Sequence, residues 1–176
     1  MLSILQLIVD TVATLLGGVL LLRFWMQAIR VRPPQSVAHF TYTVTDWLVR
    51  PLRRVVPGVG GYDWASLLGA FVIVMLATSI YLLAGMPLEL VFLHALHRFL
   101  SWILYGFMAL LIIEAIFSWV NPQAPLAPLV GALNDPLLRP LRRVVPPLGG
   151  LDLSMLVALI LLQIVKYLVD TTIPHF

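Results

Sequence analysis

Four kinds of side chain in this sequence could do chemistry. Asp10, Arg23, Glu114 and Lys166 are ionisable groups inside or at the ends of apolar runs. In hydrocarbon such groups are costly, so they pair with one another or line a solute or proton pathway. His94-x-x-His97, with Glu89 nearby, puts two imidazoles on adjacent positions of a helical face. Zinc needs further ligands and no third one has a convincing spacing, so no metal is expected. Arg50, Arg53 and Arg54, and again Arg139, Arg142 and Arg143, are suited to anionic lipid headgroups or a protein partner. Asp63 and Asp152 are placed to cap a helix, with a salt bridge to a nearby arginine or a cation site as the sharper alternatives. No GxSxG, HExxH, Walker loop or supported pair of carboxylates accompanies these groups, and there is no cysteine. An enzyme is therefore the least expected class, and no cofactor is implied.

The elements that position these groups are helices in lipid. Of 176 residues 61% are hydrophobic and 11% charged, with a mean hydropathy of +1.00. That excludes an ordinary soluble fold. A hydrocarbon core of about 30 Å needs roughly 20 apolar helical residues, and four runs qualify, at about 2–22, 64–84, 99–120 and 151–170. Val91–Leu100 is also apolar, but Gly85 and Pro87 break the chain before it, so it is read as an interfacial piece or an early start of the third helix. The only charge in the first 22 residues is Asp10, which does not suit a cleaved signal peptide.

The arginines recur because the sequence does. Arg50-Pro51-Leu52-Arg53-Arg54-Val55-Val56-Pro57 returns unchanged as Arg139–Pro146, and Gly-Gly-x-Asp follows each copy, so eleven of fourteen positions match at a spacing of 89. Nine of the eleven Lys+Arg lie around these two loops. The positive-inside rule then places both loops in the cytoplasm and both termini outside, with Arg98 in a short outer loop. The expected fold class is an all-α membrane protein, with four transmembrane helices in two parallel two-helix repeats, 1–90 and 91–176, each with a cytoplasmic loop carrying short amphipathic helices.

Prolines at each end limit Leu52–Val56 to a short helix, with arginines on one face and Leu52, Val55 and Val56 on the other. That is an interfacial wedge whose guanidiniums meet lipid phosphates. A second amphipathic stretch precedes each wedge, carrying Val37, Phe40, Val44 and Leu48 in one copy and Leu126, Leu129, Val130, Leu133 and Leu137 in the other. The glycine turns Gly60-Gly61 and Gly149-Gly150 follow. Within the first span, Ser3, Gln6, Asp10, Thr14 and Gly17 fall within about 80° on a helical wheel. This polar stripe should face other helices or water. The depths of the charges predict an Asp10–Lys166 pair and, nearer the loops, an Arg23–Glu114 pair.

The sequence Leu20-Leu21-Leu22-Arg23-Phe24-Trp25-Met26-Gln27, the pair Ser118-Trp119 and the doubled arginine-proline loop together resemble the YggT family over essentially the whole chain. The resemblance implies a multi-pass protein of the bacterial cytoplasmic membrane, linked in the family to osmotic or salt tolerance, cell division or cytochrome complex assembly. It brings no catalytic or ligand residues. The chain is thus read as a non-catalytic assembly, scaffold or envelope-homeostasis factor whose partners are anionic lipids and other membrane proteins. The alternative is an ion or small-solute conduit lined by the Asp10 stripe, oligomeric through small residues such as Gly17-Gly18. Nucleic acid is not an expected partner, because the pI of 9.7 reflects few charges rather than a large basic patch.

Overall fold

The computed structural model describes residues 2–145 and 152–173. The helices in chain order are α1 (Leu2–Ala28), α2 (Gln35–Val55), α3 (Trp64–Thr78), α4 (Ile80–Leu83), α5 (Leu88–Val120), α6 (Ala127–Arg142) and α7 (Leu153–Thr172). Four stretches are long and apolar enough to cross a membrane: Ile4–Ala28, Trp64–Leu83, Leu88–Val120 and Leu153–Thr172. The described residues hold no strand, only an isolated bridge between Val59 and Tyr62. That bridge closes a tight turn in which Gly60 and Gly61 both have positive φ, +69° and +84°, as the mirror-image turn types demand.

The third span starts at Leu88, eleven residues before the run at 99–120, so Val91–Leu100 is the early start of that helix and not a separate interfacial piece. Pro87 stands at the helix N-cap with φ −63°, where its missing N–H costs nothing. Arg98 consequently lies on α5 and not in a loop, on the same helix as His94 and His97.

Pro51 likewise fails to divide the first loop. α2 runs through it for 21 residues, and α6 runs through Pro136 and Pro140, so each loop holds one continuous helix rather than an amphipathic stretch followed by a separate wedge. Each proline removes one backbone donor, a loss that exposed positions tolerate because water can reach the freed carbonyl. Pro146, Gly149, Gly150 and Leu151, the end of the second loop motif, lie outside the described residues.

Three apolar clusters organise the molecule. The largest joins α1, α2, α3 and α5 around Leu20, Val49, Val74 and Trp102. α1 packs most extensively on α3, whose buried face is built largely from small residues, Ala65, Ser66, Gly69, Ala70 and Ala77, so the backbones approach closely. A second cluster joins α5, α6 and α7 around Leu111, Leu138 and Leu162. The third links the end of α1 to α6 through Met26, Leu129 and Leu133. Here the Trp25 indole N–H donates to the Leu133 carbonyl at 2.9 Å.

Candidate functional site

The ionisable groups gather in two clusters beside the loop helices and a third at the far end of the spans. In the first, Arg23 leaves α1 fully buried and reaches α2. Its Nη1 donates to Thr45 Oγ1 at 2.6 Å and to Asp46 Oδ1 at 2.7 Å, and its Nε lies 3.4 Å from Asp63 Oδ2. The guanidinium stacks over Tyr42, 4.7 Å from the ring centroid. Arg53 holds the same aspartate with two bonds, 3.2 Å from Nε to Oδ1 and 2.7 Å from Nη2 to Oδ2, and Ser66 Oγ donates to it at 2.6 Å. Arg50 pairs with Asp46 one turn away along α2.

The second cluster reuses the motif with a different centre. Arg142 Nε donates to Asp152 Oδ2 at 2.8 Å, matching Arg53 and Asp63, and Arg139 pairs with Asp135 at 2.7 Å, matching Arg50 and Asp46. The residue entering from the preceding span is here an acid, Glu114, which accepts from Asn134 Nδ2 at 2.7 Å and lies 3.5 Å from Arg142. The first cluster therefore holds three arginines and two aspartates, the second two arginines and three carboxylates.

Arg23 and Glu114 thus do not pair with each other; each is enclosed in its own cluster. The wedge arginines also divide. Arg50, Arg53, Arg139 and Arg142 are engaged in intramolecular ion pairs, while Arg54 and Arg143 are exposed. On the apolar side Leu52 packs into the main core and Val55 is left outside. Asp63 and Asp152 both occupy N-cap positions. Asp152 accepts from Ser154 N–H at 3.0 Å as a cap does, whereas the Asp63 carboxylate is spent on Arg53 and the Ser66 hydroxyl. Asp46 and Asp135 were not singled out by the sequence reading, although their recurrence at the spacing of 89, each four residues before an arginine, was a visible signal.

Burial pushes the Asp63 carboxyl upward, but hydrogen bonds from Arg53 and Ser66 and the charges of Arg53 and Arg23 outweigh it and hold the pKa below its ordinary value. Asp152 is lowered the same way, against burial, by its bonds from Arg142 and Ser154. Asp46 is lowered by Arg23 and Arg50, again against burial. These carboxylates are ionised at neutral pH and serve as fixed anchors, not as acids or bases poised to exchange protons.

At the far end Asp10 pairs with Arg98 of α5 at 2.5 Å, not with Lys166. Lys166 pairs with Asp170 on its own helix, and Asp170 also meets His97 Nε2 at 2.7 Å. Of the remaining stripe on α1, Gln6 donates to the Tyr81 hydroxyl and Gly17 lies beneath the Trp102 ring, where a Cβ would fall 2.1 Å from a ring carbon, while Thr14 is exposed and donates to the Asp10 carbonyl of its own helix. Among the described residues no group of three or more His, Cys, Asp or Glu could hold a metal ion.

The CCB3/YggT family profile matches residues 1–84 and 93–173. Among curated proteins, the uncharacterised protein YggT of Escherichia coli K12 is 34% identical over 163 residues, covering 92% of this chain and 87% of the relative. An uncharacterised protein of Pseudomonas aeruginosa is 36% identical over 170 residues, covering 92% and 86%. One from Vibrio alginolyticus is 32% identical over 179 residues, covering 94% and 93%. No solved structure matches the chain.

Proposed function

This chain belongs to the CCB3/YggT family, and we propose that it works as a non-catalytic assembly or scaffold factor of the bacterial inner membrane. In this reading the four spans anchor two parallel repeats, both loop helices lie on the cytoplasmic face and both termini lie outside. The observation that carries it is the use made of the repeated arginines. Arg53 and Arg142 tie the end of each loop helix to the aspartate that starts the next span, so the loop helices are held rigidly against the bundle and are not free lipid-seeking arms.

Rigid placement leaves the outward face of α2 available. Phe40 and Trp47 are exposed on it, with Arg54 beside them and Val55 flanking. An aromatic and basic face at a headgroup boundary suits an anionic lipid surface with another membrane protein on it. A photo-crosslinking residue at Trp47 tests this in cells. Defined membrane-protein adducts that disappear on Arg53→Ala/Arg142→Ala support the scaffold. Absence of adducts, together with potassium or sodium flux in liposomes abolished by Asp10→Asn, refutes it in favour of the conduit.

A further inference from the structure

We propose that the turn between α1 and α2 forms a binding pocket for a phosphate group, using arginines other than the repeated ones. A cavity of about 300 Å³ opens there, lined by Arg23, Gln27, Arg30, Arg32, Tyr42 and Gly61 among others. No carboxylate is among its lining residues. Arg23 is neutralised from behind by Asp46 and Asp63, and its buried Nε makes no hydrogen bond. Arg30 and Arg32 form no ion pair among the described residues and are exposed at the rim. The pocket therefore presents two uncompensated guanidiniums, backed by amide and phenol groups, which is a complement for an oxyanion that accepts forked N–H donors.

The backbone supplies independent support. α1 closes with paired bonds, Val31 N–H to Met26 O at 3.0 Å and Arg30 N–H to Gln27 O at 3.1 Å, and Val31 and Met26 share an apolar cluster. This cap requires a left-handed residue where glycine is the usual choice, yet the position holds Arg30 at φ +58°, the one positive φ outside glycine among the described residues. An L-residue is strained there. The arginine brings its guanidinium against Gly61, with Nη2 3.8 Å from where a Cβ would stand. Glycine would sit there without strain, so Arg30→Gly removes the guanidinium at no backbone cost.

A phosphate could reach the pocket as a lipid headgroup or as a free anion, and the test separates the two. Full-length protein in nonionic detergent is titrated with inorganic phosphate by calorimetry and assayed by native mass spectrometry for retained phosphatidylglycerol against phosphatidylcholine. Arg30→Gly/Arg32→Gln is compared with Arg139→Gln/Arg143→Gln, which removes the same charge from exposed positions of the other loop, away from the α2 face. The first variant should lose at least about tenfold in affinity, as expected when charge-assisted bonds are removed, while its unfolding temperature does not fall. Loss in the lipid arm identifies a headgroup site, and loss in the phosphate arm a soluble anion. Equal loss in the two variants, or no anion retained by the wild type in either arm, overturns the proposal.

Discussion

Arg53→Ala and Arg54→Ala remove the same charge from adjacent positions of α2 and should have different costs. Arg53 donates twice to Asp63, a carboxylate only 2% exposed, whereas Arg54 is exposed and makes no ion pair among the described residues. Orphaning a buried charge costs about 3–5 kcal/mol when nothing replaces its partner. Here Ser66 Oγ remains at 2.6 Å and Arg23 Nε at 3.4 Å, and Arg53 is itself about half exposed, so solvent already screens part of the attraction. The expected loss for Arg53→Ala is therefore about 1–2 kcal/mol, against less than about 0.5 kcal/mol for Arg54→Ala, as for most surface substitutions. Arg142→Ala should fall between them. Asp152 is one-third exposed and can be rehydrated, but Glu114 and Asp135 then face it without their shared cation. Equilibrium unfolding in mixed micelles measures all four variants, with Arg143→Ala as the second neutral control. Equal costs for Arg53 and Arg54 would refute the clamp and restore the wedge, in which the three arginines act alike.

Gly17→Ala should destabilise by about 1–3 kcal/mol through overpacking against Trp102. Gly18→Ala, with nothing within 4 Å of its added Cβ, should instead stabilise by about 0.5–1 kcal/mol from helix propensity; the same unfolding assay reads both. The exchange Asp10→Arg/Arg98→Asp should recover stability lost in each single mutant, because the pair is α1 to α5; exchanging Asp10 with Lys166 should recover none. Asp46, Asp63 and Asp152 have lowered pKa values in the folded state. Their contribution is therefore complete well above the ordinary value of 3.8, declines as pH falls toward it, and is gone once the folded-state pKa is passed. Stability measured from pH 7 downward should drop below about pH 5, and Asp63→Asn should flatten part of that drop.

Composition and run length made the four membrane-spanning stretches legible, and the doubled motif pointed to paired loops followed by an aspartate at the start of a span. The partners of the charged residues were not legible. Arg23 and Glu114 were matched by depth, as were Asp10 and Lys166, but depth fixes one coordinate and leaves the direction around each helix free. Arg23 turns toward α2 and Asp10 toward α5, and only tertiary packing decides that. The sequence leaves the start of α5 between an early start and a separate interfacial piece, because a proline before an apolar run marks a boundary without saying whether the run joins the next helix; at the N-cap Pro87 begins it. The wheel pattern gives α2 an apolar stripe of Val37, Phe40, Val44 and Leu48, yet Phe40 is exposed while Thr41 and Thr45 are buried. Their hydroxyls donate to the carbonyls of Val37 and Thr41, four residues back, which removes the polar cost that the pattern assumes.

The bond from Trp25 to the Leu133 carbonyl spans 108 residues of chain. At roughly 5–20 residues per second of synthesis, the acceptor leaves the ribosome about 5–20 s after the donor. During that wait α1, α2 and α3 already have part of a shared core and the complete cluster of Arg23, Asp46, Arg53 and Asp63. The Trp25 indole and the slot over Gly17 are left open for helices made later. The order of translation thus leaves the first half with its own ion-pair cluster complete but its core unclosed and Asp10 unpaired until Ala95, Trp102 and Arg98 of α5 arrive.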